Sequence, residues 1–179
     1  MLLSLQELEL KPVRFNVDIP AGEIDYLNDV KQATQLHAQG VAELRHNSLG
    51  EVRIKGSLKV SMEAPCDRCL EPARVPVDRD FDLRYFPADQ LPEGGEDALN
   101  EEASDIAYYD GNRLELNDVL REVVLLALPM RFVCSESCKG ICPTCGQNRN
   151  LQDCRCEARA GDDRWSKLKA LRAELSPER

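Results

Sequence analysis

Four stretches of this chain alternate apolar and polar residues with a period of two, the pattern of strands that bury one face of a sheet. Val13, Phe15, Val17 and Ile19 form the first, which ends at Pro20-Ala-Gly22. The second runs through Leu36, Ala38, Ala42 and Leu44, with Gly40 weakening its middle. The third is the most regular. Val52, Ile54, Leu58, Val60 and Met62 face one way, and Lys55, Ser57, Lys59 and Ser61 face the other. The fourth carries Val75, Val77, Phe81, Leu83 and Tyr85 and is broken by Arg79. Pro76 has no N–H for a ladder bond, so the start of that strand belongs at an edge or a bulge. Short turns such as Asn47-Ser-Leu-Gly50 favour antiparallel neighbours. Such a sheet buries one face and leaves the other in water.

Further along, Asp110-Gly111 lies between the apolar runs 106–109 and 114–116, a hairpin signal. Asn117 can cap a helix running from Asp118 to Leu128. That helix is apolar on most sides, which predicts deep burial over the sheet, and Pro129 stops it. Residues 87–104 have no period. From Asp89 to Asp110 there are eight acidic residues and no Lys or Arg, so 87–104 reads as a solvated, mobile acidic loop. Asp162 or Asp163 opens a last helix, with Trp165, Leu168, Leu171 and Leu175 as its packing stripe. These elements predict an α+β fold. A mainly antiparallel sheet of roughly four to six strands, curling toward a barrel, carries one buried helix and is followed by a C-terminal zinc-ribbon-like module. The expected division is 1–129 for the sheet and helix and 130–179 for the cysteine-rich zinc module and terminal amphipathic helix.

Length and composition fit this scheme. The 179 residues are 42% hydrophobic and 31% charged, ordinary for a globular chain with a core. The first ten residues lack a basic leader and include Glu7 and Glu9, so no signal peptide is expected. No apolar run approaches the ~20 residues that span a bilayer. A cytoplasmic location and no membrane partner are the expectations. The net charge is −9, so the whole surface does not attract phosphate backbones. The charge is uneven, with +3 over residues 131–179 and −12 over the rest. The cysteine-rich end is therefore the basic end.

The chemistry lies in eight cysteines. In a reducing compartment, clustered cysteines are more often metal ligands than disulfides. Thiolates are soft, and zinc takes four of them in a tetrahedron. Cys142-Pro-Thr-Cys145-Gly146 has knuckle spacing, and the glycine lets the backbone turn under an ion. Cys154-Arg-Cys156 begins nine residues after Cys145, near enough to return to the same ion at little closure entropy. That grouping leaves Cys66 and Cys69, between the third and fourth strands, to pair with Cys134 and Cys138. A competing grouping puts Cys134, Cys138, Cys142 and Cys145 together and Cys66 and Cys69 with Cys154 and Cys156. Either way the expectation is two structural Zn²⁺ ions.

Other chemistries find less support. Redox pairs place their first cysteine at a helix N-terminus, whereas Cys66 follows a strand and Cys142 follows Gly140. A catalytic zinc keeps a position open for water, and four thiolates leave none. His37 and His46 have no motif partners. No phosphate loop, dinucleotide fingerprint or nucleophile elbow is present. The chain is expected not to be an enzyme, with no small-molecule substrate.

Several motifs carry a resemblance. Cys66-Asp-Arg-Cys69-Leu70-Glu71 after an alternating strand, Glu122-Val-Val-Leu-Leu-Ala-Leu-Pro129, Cys138-Lys-Gly-Ile-Cys142-Pro-Thr-Cys145-Gly146 and Asp163-Arg-Trp-Ser-Lys-Leu-Lys-Ala-Leu171 are similar to the bacterial YceD family. The resemblance runs from about Leu36 onward. In the family, an apolar residue usually stands between the two asparagines after the CPxCG motif; here it is Arg149. Not all members keep the second cysteine cluster, so that module looks like an addition to a core containing Cys66 and Cys69. The resemblance implies a role in accumulation of large-subunit ribosomal RNA, as a ribosome-assembly factor with no catalytic activity to carry over. The expected partners are that RNA, a ribosomal protein, or both. Lys139, Arg149, Arg155 and Arg159 are the candidate RNA contacts, since cations on a rigid knuckle grip phosphates at low ordering cost. The alternatives are an acidic adaptor for a basic ribosomal protein and, behind it, a thiol redox protein or a nuclease.

Overall fold

The structure is a computed structural model, and it describes residues 1–26, 29–45, 50–88, 106–111 and 113–156. His46, Arg159, the acidic stretch from Asp89 onward and the terminal helix expected after Asp162 lie outside the described residues.

The chain runs β1 (Leu2–Ser4), α1 (Leu5–Leu10), β2 (Val13–Ile19), β3 (Lys31–Gln32), β4 (Leu36–Leu44), β5 (Val52–Pro65), β6 (Pro72–Pro87), β7 (Ile106–Tyr109), β8 (Arg113–Glu115) and α2 (Leu116–Ala127). The main sheet has the order β2-β4-β5-β6-β7, and β3 pairs with β5 beside the end of β4. All four predicted strands are present. On β5 the alternation holds: Val52, Ile54, Leu58, Val60, Met62 and Ala64 are buried, while Lys55 and Lys59 are exposed. β5 and β6 form an unbroken antiparallel hairpin from Val52↔Tyr85 to Pro65↔Pro72. At ~3.3 Å per residue it extends roughly 45 Å, and its tip carries Cys66 and Cys69. Arg79 does not interrupt β6, because it is exposed opposite Leu58 in the ladder. Pro76 lies on the half of β6 that β7 does not cover, since β7 pairs only with Arg84–Pro87. That is an edge, where a missing N–H costs least.

Three expectations are corrected. The sheet stays open and mixed, without closing into a barrel. β6 and β7 pair in parallel, and the apolar face is filled by α1, α2 and the β1–β8 pair, all of which share one core with the sheet. Asp110-Gly111 turns the chain, with Gly111 at φ +69°, but makes no hairpin. Its flanking strands part to different sheets, β7 to β6 and β8 to β1. Finally, α2 starts at Leu116 and Asn117 does not cap it; the Asn117 amide instead reaches the Glu23 carboxylate at 3.4 Å. Burial of α2 is one-sided: Leu116, Val119, Leu120, Val123 and Val124 are buried, but Leu126 is exposed. The Tyr85 hydroxyl donates to Glu122 at 2.8 Å, tying α2 to β6, and burial together with that carboxylate raises the Tyr85 pKa.

Candidate metal centres

Beyond α2 the chain returns to the hairpin tip. The Asp67 N–H donates to the Phe132 carbonyl at 2.8 Å, and the Phe132 N–H donates to the Asp67 carboxylate at 2.9 Å. This reciprocal pair seats Phe132 and Val133 against a small cluster of Cys66, Cys69, Ala73 and Cys138. The four sulfurs of Cys66, Cys69, Cys134 and Cys138 lie within 4.8 Å of one another. Those of Cys142, Cys145, Cys154 and Cys156 form a second such tetrad. Of the two groupings open at the sequence level, the structure has the one that keeps Cys142, Cys145, Cys154 and Cys156 together and joins Cys66 and Cys69 to Cys134 and Cys138 across the chain.

The two CxxC turns share one hydrogen-bond plan. In the first, the Cys66 N–H donates to Glu71 and the Leu70 N–H to Cys66, each at 2.8 Å. In the second, the Cys142 N–H donates to Gln147 and the Gly146 N–H to Cys142, again at 2.8 Å. The Arg68 N–H lies 3.5 Å from the Cys66 sulfur, and the Thr144 N–H lies 3.4 Å from the Cys142 sulfur. The residue after each second cysteine is left-handed: Gly146 at φ +75° and Leu70 at φ +64°. For leucine that conformation costs about 1–2 kcal/mol, partly offset against glycine's greater chain entropy. Leu70 is 67% exposed, so its side chain contributes little burial. Leu70→Gly is therefore expected to stabilise the protein by roughly 0.5–1 kcal/mol. A thermal melt checks this, and an unchanged or lowered midpoint counts against it.

The donor sets fit a thiophilic metal. An ion about 2.3 Å from each sulfur sets tetrahedral sulfurs about 3.8 Å apart. Here Cys66 and Cys138 are 3.9 Å apart, and Cys69 and Cys134 are 3.6 Å apart. At these distances neither pair is a disulfide, and all eight cysteines are free. Charge is supported on some of the sulfurs and not on others: the Cys138 sulfur raises the Cys134 thiol, and against the Glu71 N–H, burial and the neighbouring sulfurs raise Cys69. Burial pushes the Cys66 thiol up, but N–H groups of Cys134, Arg68 and Cys69 outweigh it and bring it down to about 6. The Cys142 thiol is lowered to about 6 by N–H groups of Cys145 and Thr144. The Cys138 thiol is lowered first by the Asn150 amide, 3.3 Å away. Cys156, beside Cys145, is pushed up to about 12. Four sulfurs per centre would fill the coordination positions of a tetrahedral ion.

The candidate RNA contacts Lys139, Arg149 and Arg155 are all exposed on the cysteine-rich segment after α2. The Lys139 ammonium lies 3.6 Å from Asp153, a solvent-screened pair of small worth. The sequence reading assigned no functional role to Arg68, Asn148 or Asn150. Arg68 donates to the carbonyls of Glu136 and Cys138 at 3.3 and 3.2 Å. Asn148 reaches the Glu71 carboxylate at 3.4 Å. The available signal was two asparagines between ligand pairs, where amide donors can serve sulfur. Among the described residues no helix is long and apolar enough to cross a membrane.

Fold and site together define a mixed α+β protein with two four-cysteine centres, one built on a long sheet hairpin. A family model described as large ribosomal RNA subunit accumulation protein YceD matches residues 54–172, and the chain belongs to that family. It is 27% identical over 133 residues to the large ribosomal RNA subunit accumulation protein YCED homolog 1, chloroplastic, of Zea mays, covering 62% of this chain and 45% of that one. The Arabidopsis thaliana protein of the same name is 23% identical over 146 residues, covering 70% and 46%. An uncharacterized protein of Mycobacterium tuberculosis is 28% identical over 137 residues, covering 76% and 62%. The chain thus spans about half the length of the plant relatives. No solved structure matches.

Proposed function

We propose that this chain is a non-catalytic ribosome-assembly factor. It supports accumulation of large-subunit ribosomal RNA and contacts that RNA or a ribosomal protein through a scaffold held by two structural zinc ions. One observation carries the reading: membership of a family named for large-subunit RNA accumulation. The tetrads agree with it. Each offers four sulfurs, a set suited to zinc as a staple and with no site for an activated water. A cytoplasmic location follows from the same role.

RNA contact is assigned to the basic module, at Lys139, Arg149 and Arg155. The test is ultraviolet crosslinking in the native cells, denaturing purification and sequencing of attached RNA. Crosslinks are expected to concentrate in large-subunit ribosomal RNA. Reversing the three charges together is expected to remove most of them, because each phosphate contact contributes to binding. Crosslinks that survive the reversal sink the assignment of those residues.

The adaptor reading is favoured by a different feature. A groove of about 400 Å³ between β7, β8 and α2 is lined by Tyr108, Asp110, Glu115, Asp118 and Glu122, with Arg113 among them. Together with the acidity of residues 1–130, it suits a basic protein segment. Absence of RNA crosslinks, with a ribosomal protein recovered under native conditions, selects this reading.

A further inference from the structure

We infer that the two cysteine tetrads take up metal as a coupled pair, and that Asn150 carries the coupling from the second centre to the first. The inference rests on the reading that the tetrads bind metal.

Asn150 belongs to the loop between Cys145 and Cys154, both in the second tetrad. Its side chain nevertheless serves the first. Nδ2 lies 3.3 Å from the Cys138 sulfur, and Oδ1 accepts the Lys139 N–H, next along the chain, at 2.8 Å. Asn148 holds Asn150 in place, its Oδ1 accepting both the Asn150 N–H at 2.9 Å and Nδ2 at 3.0 Å. Asn148 also reaches Glu71, whose carbonyl accepts the Cys66 N–H. The first centre returns the support. The Arg68 carbonyl, between Cys66 and Cys69, accepts the Ile141 N–H at 2.8 Å, one residue before Cys142. A Cβ on Gly140 would come within 2.9 Å of that oxygen, and Gly140 sits at φ +71°. Position 140 therefore brings the two centres together as only glycine allows without strain.

The energetic consequence is direct. An N–H donor aimed at a metal-bound sulfur offsets its excess charge, and loss of such an outer partner typically costs 10–100-fold in metal affinity. The Asn148–Asn150 donor is in place only when its loop is ordered. A metal on Cys142, Cys145, Cys154 and Cys156 orders that loop, so the first centre then binds its ion without bearing the ordering entropy. Linkage makes the effect reciprocal, so an ion at the first centre tightens the second by the same factor.

The experiment titrates the full chain with cobalt(II), read by its thiolate absorption, with a competing chelator to fix affinities. Two ions per chain are expected, taken up cooperatively. Asn150→Asp keeps an acceptor for the Lys139 N–H, removes the donor and sets an anion beside Cys138. Asn150→Ala removes the donor without adding charge. Each is expected to retain two sites and lower affinity at the first roughly 10-fold. Cys142→Ser with Cys145→Ser should leave one site, weakened by a similar factor, and adding Asn150→Ala to that pair should cost nothing more. Unchanged affinity in both Asn150 variants, or losses that multiply in the combined variant, would overturn the coupling. Failure of the unaltered chain to bind metal removes the metal reading itself and the coupling with it. Two ions bound independently remove the coupling alone.

Discussion

A strong chelator is expected to unfold the segment from Phe132 to Cys156 while β5, β6 and α2 stay folded. The segment has almost no core of its own. Its buried side chains are Cys138 and Cys142, with Phe132 and Val133 partly covered against the hairpin tip. Among the described residues its only β-pairing is the single Ile141–Asn148 bridge. A unit of that size needs a staple, and structural zinc supplies on the order of 10–16 kcal/mol at neutral pH. The sheet and α2 share a separate apolar cluster that includes Leu36, Ile54, Leu58, Met62 and Leu120, each essentially inaccessible to solvent. Hydrogen exchange gives the measurement. The amides of Ile141, Cys142 and Gly146, bonded to Arg68, Gln147 and Cys142, should lose protection on chelation and regain it when zinc is restored. Amides along β5 should hardly change, and all eight thiols should become reactive toward an alkylating reagent. Retained protection at those three amides, with every thiol reactive, would mean that packing alone holds the module.

The same contrast explains what the sequence could reveal. The strands were legible because burial on one face imposes period two, and Val52 through Met62 obey it at every position but Gly56. The cysteine pairs were legible as ligands from their spacing, but not their grouping: Cys134 to Cys145 and Cys142 to Cys156 are both short loops, and only the fold sets Cys134 and Cys138 beside Cys66 and Cys69. What failed was decided by distant partners. Asp110-Gly111 specifies a reversal, but not which strand each arm meets. β8 is claimed by the N-terminal strand β1 and β7 by the far end of β6. The Asn117 side chain is drawn to Glu23 rather than to its own helix. Asn148 and Asn150 look like loop polar residues until the fold sets them beside Glu71 and Cys138. Leu70 shows that a required left-handed turn need not announce itself as glycine.

Substituting Gly56 by alanine is expected to destabilise the fold by about 3 kcal/mol, the upper end of the usual range for overpacking. Gly40 and Gly56 face each other across β4 and β5, and the row continues to Phe15 on β2 and Phe81 on β6. All four positions lie on the core side of the sheet, since paired residues share a face. The two phenyl rings lie over the glycines from either side, covering backbone that no side chain covers. A Cβ on Gly56 would sit 2.3 Å from the Gln39 carbonyl oxygen and 2.9 Å from the Phe81 ring; one on Gly40 would sit 2.3 Å from the Lys55 oxygen and 2.6 Å from the Phe15 ring. A ring can rotate or shift, but a carbonyl in a strand cannot move without disturbing the β4–β5 register. The melting midpoint should therefore fall by roughly 6–12 °C in Gly56→Ala, at ~2–4 °C per kcal/mol for a chain of this size. Gly22→Ala is the control. Gly22 has φ +92° and open space around its Cβ position, so it should lose only about 1 kcal/mol from backbone strain. Adding Phe81→Leu to Gly56→Ala distinguishes the two obstacles. No recovery places the limit at the Gln39 carbonyl, as the distances require, whereas restored stability would place it at the ring.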